Sequence, residues 1–157
     1  MFGKHLVSVV ILTYNRREDL KRCLNSLMKQ SYKDFDILVI DNGSTDDTSD
    51  VLKIYPVKVI KDPTKKLSYL FNLAWKSTSG NYIAFLADDV EVHPDWSKNA
   101  IETFTMYDGI GAVGGPIIST QKQEMHRLYE EATQSKLLSF IAKIYERVVM
   151  EGRLFDP

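Results

Sequence analysis

The sequence has little cysteine: the single Cys23 excludes an internal disulfide and a cysteine-based zinc site, and is compatible with a reducing cytosol. A small buried hydrophobe is the ordinary role of such a residue. Surplus charge is also missing, since 20 Lys plus Arg stand against 21 Asp plus Glu. A nucleic-acid surface needs a basic excess, so no nucleic-acid partner is expected, and any anionic ligand must be held locally. No stretch approaches the roughly 20 apolar residues of a membrane-spanning helix. The apolar run Leu6 to Leu12 is too short for that role and no small-residue cleavage site follows it, so it reads as a buried strand. His5, His93 and His126 are too scattered for a zinc site, and no Ser-His-Asp or Cys-His arrangement is legible. Neither G-x-G-x-x-G nor G-x-x-x-x-G-K-[ST] occurs, which weakens dehydrogenase and ATPase readings.

What is present is an ordinary globular composition, 44% hydrophobic and 26% charged over 157 residues, enough to bury one core. Val7 to Leu12 is β-branched and nearly all apolar, as a strand covered on both faces should be. Between Arg17 and Gln30 the residues Leu20, Cys23, Leu24, Leu27 and Met28 recur at helical spacing. Phe35 to Ile40 is a second buried strand, ending in a polar turn whose Ser, Thr and Asp residues can cap a short helix bearing Val51, Leu52 and Tyr55. Val57 to Ile60 predicts a third strand, and Leu67 to Ser77 a helix stopped by Gly80. Tyr82 to Leu86 predicts a fourth strand, Pro94 to Tyr107 another helix, and Gly111 to Ile118 a further strand broken by Gly114, Gly115 and Pro116.

This β-α alternation implies a mostly parallel sheet with right-handed crossovers and helices on both faces, over residues 1–120. A C-terminal extension, 121–157, carries Leu137, Leu138, Ile141, Ile144, Tyr145 and Val148 as one stripe on a long helix. Packing within the protein is the expected cover for that stripe; self-association and membrane contact are the alternatives.

In such sheets ligands collect beyond the C-terminal strand ends. The segments there are Thr13-Tyr14-Asn15, Asp41-Asn42-Gly43-Ser44 and Ala87-Asp88-Asp89. Asp88 and Asp89 directly follow a strand, which suits a hard cation that takes one or two oxygens from protein and the rest from phosphate and water. A turn and helix start would explain the same pair. Asp41 could accept a base ring N–H or cap the turn; Asn42, Ser44 and Thr45 could be caps alone. The lysines between Lys61 and Lys66 could neutralise a diphosphate or be merely solvated.

V-S-V-V-I-L-T-Y-N-R at Val7 to Arg16, D-N-G-S-T-D-D-T at Asp41 to Thr48 and G-N-Y-I-A-F-L-A-D-D at Gly80 to Asp89 together resemble inverting family-2 glycosyltransferases, in order and in spacing, over about residues 6–118. The resemblance implies a Rossmann-like GT-A fold, a nucleoside-diphosphate sugar donor of UDP, GDP or dTDP type, and Mn²⁺ or Mg²⁺ as cofactor. Carried over by position, Thr13, Tyr14, Asn15 and Asn42 border the nucleotide, Asp41 accepts from the base, Lys66 lies near the diphosphate, Asp88 approaches the ribose and Asp89 ligates the metal. Many relatives have an acid where this chain has Ala87, so A-D-D replaces D-x-D and Asp89 becomes the principal protein ligand.

Inverting transfer needs a general base for the acceptor hydroxyl. Nothing after Ile118 matches the family's context for one, and Glu124, Glu130, Glu131, Glu151 and Asp156 are carboxylates without the motif. The expectation is therefore a donor-binding half, truncated and turning over poorly alone, acting on a glycan, lipid or protein acceptor in polysaccharide or glycoconjugate synthesis. A cytosolic face is expected because nucleotide sugars are made there, with membrane attachment as the variant. The rival readings are a sugar nucleotidyltransferase, against which T-Y-N-R-R stands in place of a Gly-rich basic loop, and a non-catalytic donor-binding or scaffold module.

Overall fold

The computed structural model describes residues 6–63, 66–107 and 109–116. Four strands alternate with four helices: β1 (Val7–Thr13), α1 (Arg17–Met28), β2 (Phe35–Asp41), α2 (Thr48–Leu52), β3 (Lys58–Lys61), α3 (Leu67–Ser77), β4 (Tyr82–Ala87) and α4 (Trp96–Met106). All pairings are parallel, in the order β3-β2-β1-β4. Parallel neighbours cannot be joined by hairpins, so each strand returns through a helix. The order reverses direction between β1 and β4, which opens a crevice at their C-terminal ends.

Strand residues alternate faces, and β1 shows what each face buries. Val7, Val9 and Ile11, with Ile37 and Val39 of β2, pack on Leu20, Cys23, Leu24 and Leu27 of α1 and on Val51 and Leu52 of α2. Val10, Leu38 and Ile40 point the other way, against Leu70 and Ala74 of α3. Burying one such aliphatic side chain is worth about 1.5–3 kcal/mol, so these two layers carry most of the stability. Ser8 is the polar exception on the α3 side. Its hydroxyl donates to Asp36 Oδ1 at 2.7 Å and accepts the Gly80 N–H at 3.0 Å, while Lys58 pairs with Asp36 Oδ2 at 2.7 Å.

Register aligns the strand ends. Thr13 pairs with Asp41, Leu12 with Ala87, and Asp41 with Lys61, so the polar segments after β1, β2 and β4 share one edge.

Two sequence expectations are corrected. Gly80 does not stop α3, which ends at Ser77 with Thr78 extended beyond it. Gly80 is instead where backbones nearly touch: a Cβ there would lie 2.6 Å from the Ser8 nitrogen. Gly111 to Pro116, expected within a strand, forms none. Three glycines lose entropy in an extended ladder and the proline has no N–H for one. The remainder of that expected strand, and the long C-terminal helix, lie outside the described residues. No helix among the described residues is long and apolar enough to cross a membrane.

Candidate functional site

The turn after β1 begins the site. Thr13 ends the strand with its side chain buried, Tyr14 is exposed, and Asn15 takes a left-handed conformation at φ 51°. Asparagine tolerates that region better than most residues because its short amide bonds locally. Here its Oδ1 accepts the Thr45 N–H at 2.7 Å, and its own N–H donates to Ser44 Oγ at 3.0 Å. The turns after β1 and β2 are thus stitched together.

Asp41 is almost fully buried at the end of β2, and its Oδ1 accepts the Ser44 N–H at 2.8 Å. It therefore performs the capping role weighed from the sequence. The Asn42 N–H donates to the Thr13 carbonyl at 2.9 Å, and the Asp62 N–H to the Asp41 carbonyl at 2.9 Å. Gly43 adopts φ +82°, where a Cβ would meet Pro63 Cβ at 2.9 Å. The acidic turn and the start of the Lys-bearing loop consequently lie against each other. Lys66 stands exposed immediately before α3, and its side chain makes no ion pair among the described residues.

The carboxylates after β4 differ in setting. Asp88 is 7% exposed and accepts the Thr13 hydroxyl at 2.9 Å, whereas the Asp89 side chain is half exposed. Arg16 ties them together: its Nη1 lies 2.8 Å from Asp89 Oδ2 and 3.4 Å from Asp88 Oδ1. Burial pushes the Asp88 carboxyl above its ordinary range, opposed by the Thr13 hydrogen bond and the Arg16 charge and reinforced by Asp89. The same contacts hold the Arg16 proton more tightly, the Asp89 hydrogen bond first.

The loop carrying these acids is clamped to α1. Cys23 Sγ lies 3.7 Å from the Ala87 carbonyl, Ser26 Oγ accepts the Val92 N–H at 3.1 Å, and the Ser31 N–H donates to the Pro94 carbonyl at 2.8 Å. Gln30, 1% exposed, donates to the His93 carbonyl at 2.7 Å and accepts both the N–H and the hydroxyl of Ser97. Such clamping is what a preorganised ligand set requires.

The residues fit a divalent cation of one kind. No group of three or more His, Cys, Asp or Glu side chains that could cage a metal occurs among the described residues. Mg²⁺ and Mn²⁺ sites serving phosphates do not need one, since one or two carboxylates suffice and substrate oxygens and water complete the shell. Asp89, half exposed at the rim, meets that requirement; Asp88, buried and engaged by Thr13, is better placed to position than to ligate.

Thr13, Asn15, Asp41, Asn42 and Asp88 thus fall into one hydrogen-bonded group, Arg16 links Asp89 to it, Tyr14 lies between Thr13 and Asn15 in the chain, and Lys66 makes no side-chain bond to the group among the described residues. Sequence reasoning missed Arg16 as part of the site, although it closes the T-Y-N-R string, because its partners are 72 and 73 residues away. It left Ser44 and Thr45 open between capping alone and a part in the site; here both bond to Asn15.

The model of the family described as glycosyl transferase family 2 matches residues 8–151. Glycosyltransferase AglE of Haloferax volcanii is 30% identical over 119 residues, 71% of this chain and 39% of that protein. Glycosyltransferase GlyA of Streptococcus pneumoniae is 24% identical over 155 residues, 96% of this chain and 22% of that protein. The chain therefore spans about two fifths of the first and one fifth of the second. Among solved structures, S. aureus TarS 1-349 in complex with UDP-GlcNAc superposes with a TM-score of 0.61 at 26% identity, over 71% of this chain and 37% of that one. Mannosyltransferase PcManGT from Pyrobaculum calidifontis, solved with GDP-Man and Mn²⁺, reaches 0.65 at 19% identity over 83% and 41%, a likeness of fold.

Proposed function

The chain belongs to glycosyl transferase family 2, and from that premise we propose that it binds a nucleoside-diphosphate sugar across the C-terminal ends of β1, β2 and β4 for inverting transfer of the sugar to an acceptor. The observation that carries this reading is the Thr13–Asp88–Arg16–Asp89 cluster at the point where strand order reverses. Tyr14 and Asn15 border the nucleotide beside Thr13 and Asn42. Asp41 accepts from the base through the oxygen that Ser44 does not use. Asp88, held by the Thr13 hydroxyl, receives a ribose hydroxyl, and Lys66 and Arg16 neutralise the diphosphate.

Asp89 holds Mn²⁺ or Mg²⁺, which when bound stabilises charge on the departing diphosphate. The clamped β4–α4 loop keeps its carboxylate at the mouth of the site, so little ordering is left for the moment of binding. The acceptor proton goes to a general base to which we assign no residue. A UDP donor is favoured by the likeness to TarS, whose structure holds UDP-GlcNAc. The acceptor is of glycan, lipid or protein type, and the reaction faces the cytosol, where nucleotide sugars are made. Family membership sets this reading above sugar nucleotidyl transfer.

The test is a thermal-shift panel of UDP, GDP, dTDP and CDP, each with and without Mn²⁺, on the protein and on Asp89→Ala. A ligand that binds only the folded state raises its melting temperature by mass action. One diphosphate should shift it, with Mn²⁺ enlarging the shift and Asp89→Ala removing that enlargement. No shift with any of the four would overturn the reading.

A further inference from the structure

We propose that Arg16 is a built-in counter-ion for the acidic pair, occupying the place of the divalent cation until one arrives, a proposal that rests on reading Asp89 as the cation ligand. A single atom of Arg16, Nη1, reaches both carboxylates, at 2.8 Å and 3.4 Å. An ion bound to Asp89 beside Asp88 would need that same space. A cation on that carboxylate would share the Asp89 charge with a guanidinium nitrogen 2.8 Å away, and the two positive charges repel, so each weakens the hold of the other.

Arg16 is able to leave. Its side chain is half exposed, and its guanidinium has no polar partner among the described residues besides Asp88 and Asp89. Its backbone stays in place, because its carbonyl accepts the Leu20 N–H at 2.9 Å in the first turn of α1. Displacement is therefore a side-chain movement. Once released, the guanidinium presents a planar fork of donors at the edge of the site, the geometry that pairs with phosphate oxygens. The empty site is thus kept neutralised and ordered, and a cation arriving alone must first displace Arg16. A cation arriving with a diphosphate gives Arg16 a new partner, so the two ligands bind jointly.

Mn²⁺ titrations, followed by the electron paramagnetic resonance of the free ion, test this on the wild-type chain, Arg16→Met and Asp89→Ala, each with and without UDP. Without nucleotide, Arg16→Met should bind Mn²⁺ roughly two- to fivefold more tightly than the wild type, the scale of losing an exposed ion pair as competitor. Asp89→Ala should lose binding in both conditions. Wild-type binding of Mn²⁺ that Arg16→Met leaves unchanged or weakens overturns the counter-ion role while the metal site stands. Absence of Mn²⁺ binding in both the wild type and Arg16→Met, even with UDP, overturns the metal reading and the counter-ion role together. Arg16→Gln, neutral but still a donor, serves the same comparison should Arg16→Met fail to fold, and a larger Mn²⁺-induced rise in its melting temperature than in the wild type is the expected second readout.

Discussion

At the scale of single residues, the site stores its tension in Asp88. Because its folded carboxyl titrates above the unfolded range, through burial first, its contribution to stability is fully present below the unfolded range. That contribution is lost as pH rises through the folded value. Asp88→Asn cannot ionise and can still accept from Thr13, so it should be more stable than the wild type at neutral pH. The advantage should shrink to nothing as pH falls below the ordinary carboxylate range, and urea unfolding at a series of pH values checks it. An Asp88→Asn variant less stable at neutral pH would mean that Arg16 and Thr13 outweigh burial. Cys23 gives a second prediction. Its thiol is wholly buried and pushed up to about 12, by desolvation first and the nearby acids second. It should resist a disulfide reagent at pH 8 in the folded state and react at once in denaturant. Rapid native labelling would show that α1 opens locally.

At the scale of elements, α1 does more than cover the sheet. Its inner face supplies Cys23 and Ser26 to the loop that bears the acids, Gln30 just past its C-terminal end adds a third contact, and Arg16 is the residue before its first turn. Gln30→Ala should strand the Ser97 N–H in the interior and leave the His93 carbonyl with the Trp96 N–H alone, at a cost of about 1–3 kcal/mol in urea unfolding. It should also weaken nucleotide binding through the loosened loop. A cost under about 0.5 kcal/mol, the size of an indifferent surface change, would refute the clamp. The elements themselves were legible from the sequence. Helix α3 falls on the expected residues, Leu67 to Ser77, and α4 and the four strands depart from expectation by a residue or two at their ends. The short helix α2 was expected to be capped from its polar turn; its N-cap residue Asp47 makes no side-chain cap bond, and Asp46, one residue earlier, instead accepts the Thr48 N–H on Oδ1 at 3.1 Å. Thr48 holds that carboxyl below its ordinary range.

At the scale of the whole molecule, β4 and the outer flank of α3 leave apolar surface in solvent. Trp75 is 68% exposed, and Leu67, Phe71 and Phe85 are exposed beside or across from it, with Phe71 and Phe85 in edge-to-face contact at 5.1 Å. Contiguous apolar surface promotes association. Trp75→Ser should therefore reduce concentration-dependent light scattering while changing unfolding stability by no more than about 0.5 kcal/mol. A large loss of stability would mean that Trp75 packs more than its exposure indicates.

The sequence by itself determined the kind and order of the four strands and four helices from β1 to α4, because apolar period and turn residues act within a few positions. It also determined which polar segments end the strands, and the family they resemble. Only the tertiary structure decided what those segments do to one another. Thr13 meets Asp88 across 75 residues and Asn15 meets Thr45 across 30, through a strand order and register that no local pattern encodes. Gly80, which looked like a helix stop, is required by the approach of a backbone 72 residues earlier. The expected strand at Gly111 failed over its described part because its glycines and proline weighed more than its apolar residues. Arg16 was invisible as a site residue for the same reason as the rest: the identity of a side chain is local, but the charge it neutralises is set by how the chain folds back on itself.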